Sequence, residues 1–300
     1  YTDQPFITDI NLLQADALVR LDRLEEALAL YDTVATTISV PGPIGEALYK
    51  TGMVYYSQLR DYDKALVYFD SVVNHYRRGK IYLDAKLTIP RVYLAKGDLT
   101  EADKHLEILS KRHMTEDAAE EVMFYRGLIR FFNKQFDSSR ADFQKMMVKH
   151  PRGYYLNDAL QLLILMDESI DSPQLLHEYS SARLFEERQM PDSAIVHLQA
   201  VADASNRAIA DFALYRLAST TINRTDTSAV LNCLERLIEE FPESYYLPYS
   251  LKMKADIFFV DETTTEDARL IYRRLLEEFP TYPFIPDVRE KMRREEQGQS

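Results

Sequence analysis

Tryptophan is absent from this chain of 300 residues, cysteine occurs once, and glycine and proline number only 8 and 12. So few glycines and prolines leave little room for low-complexity linkers or a turn-rich β fold. The lone Cys233 cannot close an internal disulfide, and no Cys/His grouping has metal-ligand spacing, so neither metal nor other cofactor is expected. Cys233 falls on an apolar helical stripe and reads as a buried structural thiol. Such scarcity of cysteine fits cytoplasm and bacterial periplasm equally. No apolar run approaches the length of a membrane span; the densest is "ALQLLILM" at 159–166. A signal peptide is not visible either. The chain opens on Tyr1 rather than Met, which reads as a processed or trimmed product whose targeting segment could have been lost.

Hydrophobic residues make up 46% and charged residues 28%, ordinary for a folded chain. Net charge is −12, and it is uneven: residues 1–150 carry 20 basic and 22 acidic side chains, residues 151–300 carry 16 and 26. An acidic surface repels phosphate backbones and argues against nucleic acid as a general partner. The exception is a basic patch, Arg77, Arg78, Lys80, Lys86 and Arg91, suited to an acidic partner.

One pattern runs through the whole length. A small residue is followed four places on by an aromatic or aliphatic residue, and seven places on by an aliphatic one. The anchors are Ala27, Ala65, Ala102, Ser139, Ala194, Val230 and Ala268. Offsets of four and seven share one face of an α-helix, so each anchor marks an amphipathic helix. Twelve or thirteen residues earlier stands another small residue or proline: Ala15, Gly52, Pro90, Gly127, Ala182, Ala218 and Ala255. Small residues facing each other would let paired helices approach closely. Pro90 should kink its helix. Short polar turns such as "LRDYDK" and "NKQFDS" join the two helices, and Pro closes several second helices, as in "KHP" and "EFP".

A helix–turn–helix repeated in this way resembles the tetratricopeptide repeat (TPR) superfamily. The best unit, residues 47–76, matches the family's pattern with Gly52, Tyr55, Ala65 and Phe69, although its internal turn is one residue longer than usual. The resemblance implies an all-α, right-handed superhelical solenoid of about seven helix pairs. Anchor spacings of 38, 37, 37, 55, 36 and 38 exceed the usual ~34. The outlier predicts an extra helix near 155–169, and residues 283–297 read as a C-terminal capping helix. The expected organisation is a single array over 1–300, with a possible interruption or hinge at 152–173.

Catalytic constellations are not found. The histidines form no zinc motif, the serines no nucleophile elbow and the glycines no phosphate loop. His75 and His150 read as helix-end residues, and acidic pairs such as 120–121 and 186–187 as solvated faces. "NRT" at 223–225 matches a glycosylation sequon. The expectation is therefore a non-enzymatic protein-interaction scaffold. By analogy with the family, its concave groove would include Asp16, Tyr49, Met53, Arg91, Phe124, Leu128, Arg183 and Tyr215. That mix suits an extended or helical peptide with apolar anchors and an occasional acid. The paired Lys/Asn pattern that clamps a C-terminal carboxylate is missing, which disfavours chaperone-tail binding. The joints at 149–160, 239–255 and 277–288 are similar to those of bacterial cell-envelope TPR proteins, including outer-membrane assembly lipoproteins. That implies a periplasmic or membrane-tethered scaffold, with the cytoplasm as the other setting. A glycan- or peptidoglycan-binding or processing module on the same concave surface is the alternative function.

Overall fold

The computed structural model describes residues 4–37, 40–222, 227–260 and 264–296, with the sequon at 223–225 outside them. Among the described residues there is no strand. Seven helix pairs follow one another: α1 (Gln4–Arg20) with α2 (Leu24–Thr37), α3 (Pro41–Ser57) with α4 (Tyr62–His75), α5 (Lys80–Lys96) with α6 (Leu99–Ser110), α7 (Glu116–Phe132) with α8 (Phe136–Lys149), and then α10 (Pro173–Glu187) with α11 (Pro191–Ala202), α12 (Ala210–Thr221) with α13 (Thr227–Glu240), and α14 (Leu247–Phe259) with α15 (Thr265–Glu278). The extra helix is α9 (Leu156–Glu168), and α16 (Ile285–Glu296) follows the last pair. Two compact units divide the chain: Tyr1–Leu163 with Glu187–Gln189, and Ile164–Glu186 with Met190–Ser300.

The register read from the periodicity is the register of the core. Every anchor is buried, from Ala27 to Ala268, and so is each residue four and seven places beyond it. At Gly52 and Gly127 the preceding small residue sits against the large residue four places beyond the anchor. A Cβ built on Gly52 would lie 2.8 Å from Phe69 Cε1, and one on Gly127 would lie 2.6 Å from Phe143 Cε1. One edge of each ring therefore packs directly on bare backbone. Ser139, the polar anchor, donates its hydroxyl to the Gly127 carbonyl at 2.8 Å and so remains satisfied while buried. Pro90 is buried inside α5, and the helix runs on through it from Lys80 to Lys96.

The corner inside each pair is also repeated. Asp22, Arg60, Gly97, Lys134 and Gln189 all have positive φ, between 54° and 88°, and each stands five residues before its anchor. The next amide reaches back to close the first helix: Arg23 to the Leu18 carbonyl, Asp98 to Tyr93, Gln135 to Arg130, and Met190 to Phe185, at 2.8–2.9 Å. This left-handed stop satisfies orphan carbonyls and turns the chain sharply. In the longer corner at 58–61, Asp61 reaches the Tyr55 carbonyl instead. Asp61 and Asp98 then cap their second helices, each accepting a backbone N–H at 3.1 Å.

Two expectations are corrected. Cys233 is only partly buried; it packs beside Ala218, Val230 and Leu234, and burial pushes its thiol up. The acidic pairs at 120–121 and 186–187 are not solvated faces. Glu120 is 4% exposed and accepts from the backbone N–H groups of Tyr154 (3.0 Å) and Tyr155 (2.7 Å). Its equivalent Asp211, likewise seven residues before the small residue of its helix, accepts from the Ser244 hydroxyl at 2.5 Å. A carboxylate on one first helix thus ties down the entry to the next.

Candidate functional site

In the first unit, α3 contributes Tyr49 and Met53, both half-buried, and α5 contributes Arg91. The Tyr49 hydroxyl meets Thr88 Oγ1 at 3.3 Å, and its ring lies 5.5 Å from Phe69. The Arg91 guanidinium lies 5.8 Å from the centre of the Tyr125 ring. Its nearest carboxylate oxygen, Glu121 Oε1 on α7, is 3.8 Å away, which is an ion pair without a hydrogen bond. Glu121 Oε1 is buried and has no hydrogen-bond partner. Burial pushes the Glu121 carboxyl up, opposed by Arg91. Glu121 therefore holds an open demand for a donor, while Arg91, already bonded to Tyr56, stays partly exposed beside it.

Other expected groove residues are placed differently. Phe124 and Leu128 are 7% and 2% exposed and belong to the core. Phe124 is covered by Tyr155, whose ring stacks on it at 4.5 Å, so neither residue contributes contact surface. Burial pushes the Tyr155 hydroxyl up to about 12. Asp16 is already occupied: it accepts from the Tyr31 hydroxyl at 2.5 Å and from Lys50 Nζ at 2.6 Å. The expected basic patch also divides. Arg77, Arg78 and Lys80 are exposed, Lys86 lies over the Tyr82 ring at 5.2 Å, and Arg91 joins the tyrosine-lined face.

In the second unit, Arg183 Nε is 3.1 Å from Glu186 Oε2, and the same carboxylate holds Arg216 and accepts from Thr220 at 2.9 Å. Tyr215 stacks on Tyr246 at 4.5 Å, and an aromatic strip continues through Tyr249 to Tyr282 and Phe284. Beyond it, Lys252 and Lys291 share Asp256. Tyr125 was not singled out from the sequence, and Glu121 and Glu186 were read there only as parts of solvated acidic pairs. Nothing in the sequence distinguishes Glu121 from a solvated glutamate, because the burial of its neighbour Glu120 shows only in the structure. No helix is long and apolar enough to cross a membrane, and no His/Cys/Asp/Glu cluster fit for a metal occurs among the described residues.

The tetratricopeptide repeat family model matches residues 46–83, the unit containing Gly52, Ala65 and Phe69. No curated protein matches the chain. Among solved structures, a tetratricopeptide repeat protein from Parabacteroides merdae aligns at 11% identity, covering 95% of this chain and 98% of that one, with a TM-score of 0.45. PilW, described as a widely conserved type IV pilus biogenesis factor, aligns at 12% identity over 82% of this chain and 98% of that one, with a TM-score of 0.42. The TPR domain of P58(IPK) aligns at 16% identity over 95% and 77%, with a TM-score of 0.34. Residues 46–83 thus match the tetratricopeptide repeat model, and the helix pairs around them repeat the same helix–turn–helix build. Repeats of this type build protein-interaction scaffolds, which are in general not enzymes.

Proposed function

We propose that the chain is a non-enzymatic scaffold that binds a protein or peptide through the first-helix face of its repeats, the concave side in solenoids of this type. The observation that carries this reading is the Arg91–Glu121 pair. The two charges stand 3.8 Å apart near Tyr49 and Tyr125, and the Glu121 oxygen has no donor. A peptide bringing a carboxylate to Arg91, a backbone N–H to Glu121 and an apolar side chain to the tyrosines would complete the site. We take the repeats of both units to serve as one array. On the strength of the three proline-aromatic joints, we place it in a bacterial envelope.

Cross-linking the chain in a lysate of its native host, followed by mass spectrometry, tests this. Cross-links to one partner should concentrate at first-helix lysines, Lys50 and Lys252, rather than at Lys64 or Lys145 on second helices. Partner cross-links confined to the second helices would overturn it. The alternative of a glycan-binding module draws on exposed aromatic rings, Tyr154 at 85% and Tyr245 at 44%. Glycan binding with no protein captured would favour that reading.

A further inference from the structure

A second site lies on other residues of α7 and does not depend on the reading above. A cleft of about 370 Å³ opens between the α6–α7 connection, α7 and α8. Its apolar lining is Met114, Ala119, Val122 and Met123, and four cations line it as well: Arg112, Arg126, Lys145 and Lys149. Concentration of one charge is unexpected in a chain of net charge −12. One acid, Asp142, also lines the cleft and is held by Arg130 at 2.5 Å; Glu107 on α6 pairs with Lys111 at 2.7 Å and feels the charge of Arg126.

Two further observations bear on what the cleft could hold. Arg126 Nε is buried and has no hydrogen-bond partner, although a guanidinium nitrogen taken out of water ordinarily finds an acceptor. Arg112 gives one donor to the Tyr82 hydroxyl at 2.8 Å, and Lys86 stands over that ring at 5.2 Å. Burial would raise the Tyr82 phenol, yet Lys86 and Arg112 together hold it below its ordinary value.

We propose that this cleft binds a small molecule carrying a phosphate or carboxylate group. Arg112 and Arg126 would present planar forks to the oxyanion, Lys145 and Lys149 would neutralise it from α8, and Met114, Val122 and Met123 would cover an apolar portion. The volume suits a small ligand rather than a polymer.

Isothermal titration at fixed ionic strength, with pyrophosphate and with citrate as probes, tests the site and separates the two sources of the oxyanion. Saturable one-to-one binding of at least one probe is expected. Arg126→Gln should weaken it by about tenfold or more, corresponding to about 1.4 kcal/mol. The paired Lys145→Gln and Lys149→Gln changes lie on exposed positions and should leave the thermal melt unchanged while also weakening binding. Absence of saturable binding by either probe overturns the proposal. Binding that is indifferent to all three substitutions does so too, as does binding only of a long polyanion such as heparin.

Discussion

Tyr31 donates its phenolic hydrogen to Asp16 at 2.5 Å, from the second helix of the first pair to the first. Lys50, on the next helix, reaches the other oxygen of the same carboxylate at 2.6 Å. In the last pair Tyr272 donates to Asp256 at 2.6 Å and Lys291 joins at 2.8 Å. In each case the aspartate follows the small residue, the tyrosine lies four beyond the anchor, and the lysine belongs to the following first helix. One carboxylate thereby joins three successive helices. Burial and the adjacent Asp16 push the Tyr31 hydroxyl up, so it remains a donor. Combining Asp16→Asn with Tyr31→Phe in a double-mutant cycle should reveal a coupling of about 1.5–3 kcal/mol in urea melts. Additivity within about 0.5 kcal/mol would show that the two residues act independently.

The second clasp carries a pH signature. Burial would raise the Asp256 carboxyl, but hydrogen bonds from Lys252, Lys291 and Tyr272 outweigh burial and hold it below its usual value. Asp287, also bonded to both lysines, belongs to the same network. A carboxyl lowered on folding contributes stability that is full above its unfolded value of about 3.9 and is lost as pH falls through the folded value. Stability of the intact chain should fall below about pH 4. Asp256→Asn should flatten part of that acid limb, and an identical limb in the variant would remove Asp256 from the account.

Gly127 has a packing role. Alanine in place of a helical glycine ordinarily stabilises by about 0.5–1 kcal/mol. At Gly127 the added Cβ would press on the Phe143 ring at 2.6 Å, and overpacking of this kind costs about 1–3 kcal/mol. Gly127→Ala should therefore destabilise in a chemical melt, and Phe143→Leu added to it should cost less than it does alone. A stabilised Gly127→Ala chain would mean that the ring moves aside freely.

Glu120 is expected to behave as a joint. Glu120→Ala leaves the N–H groups of Tyr154 and Tyr155 without an acceptor and should cost about 1–3 kcal/mol. Gly153→Ala should be at least as damaging, because its Cβ would fall 2.1 Å from Glu120 Oε1. Hydrogen exchange should quicken at the Tyr154 and Tyr155 amides in either variant. Unchanged protection at these two amides would contradict the role assigned to Glu120.

The helix pairs could be read from the sequence because burial repeats at offsets of four and seven, and Ala65, Phe69 and Val72 display this as plainly as Ala268, Tyr272 and Leu275. The corners could not. Asp22, Arg60, Gly97, Lys134 and Gln189 share a left-handed backbone but no residue type, since the penalty of about 1–2 kcal/mol is small enough to be borne without glycine. The site was legible only in part. Tyr49, Met53 and Arg91 stand on a tyrosine-lined face, but Phe124 and Leu128 pass into the core because Tyr155, from the next joint, folds over Phe124. A glutamate tying down a neighbouring backbone looks the same in sequence as one in water, which is why Glu120 read as solvated.

The most direct test of the scaffold reading is quantitative capture of host proteins on immobilised wild-type chain, on Arg91→Ala, on Glu121→Gln and on Lys64→Ala as a second-helix control. One partner should be retained by the wild type and by Lys64→Ala, and its yield should fall about tenfold or more with Arg91→Ala and with Glu121→Gln. Equal retention on all four chains, or no retained partner at all, would contradict the account.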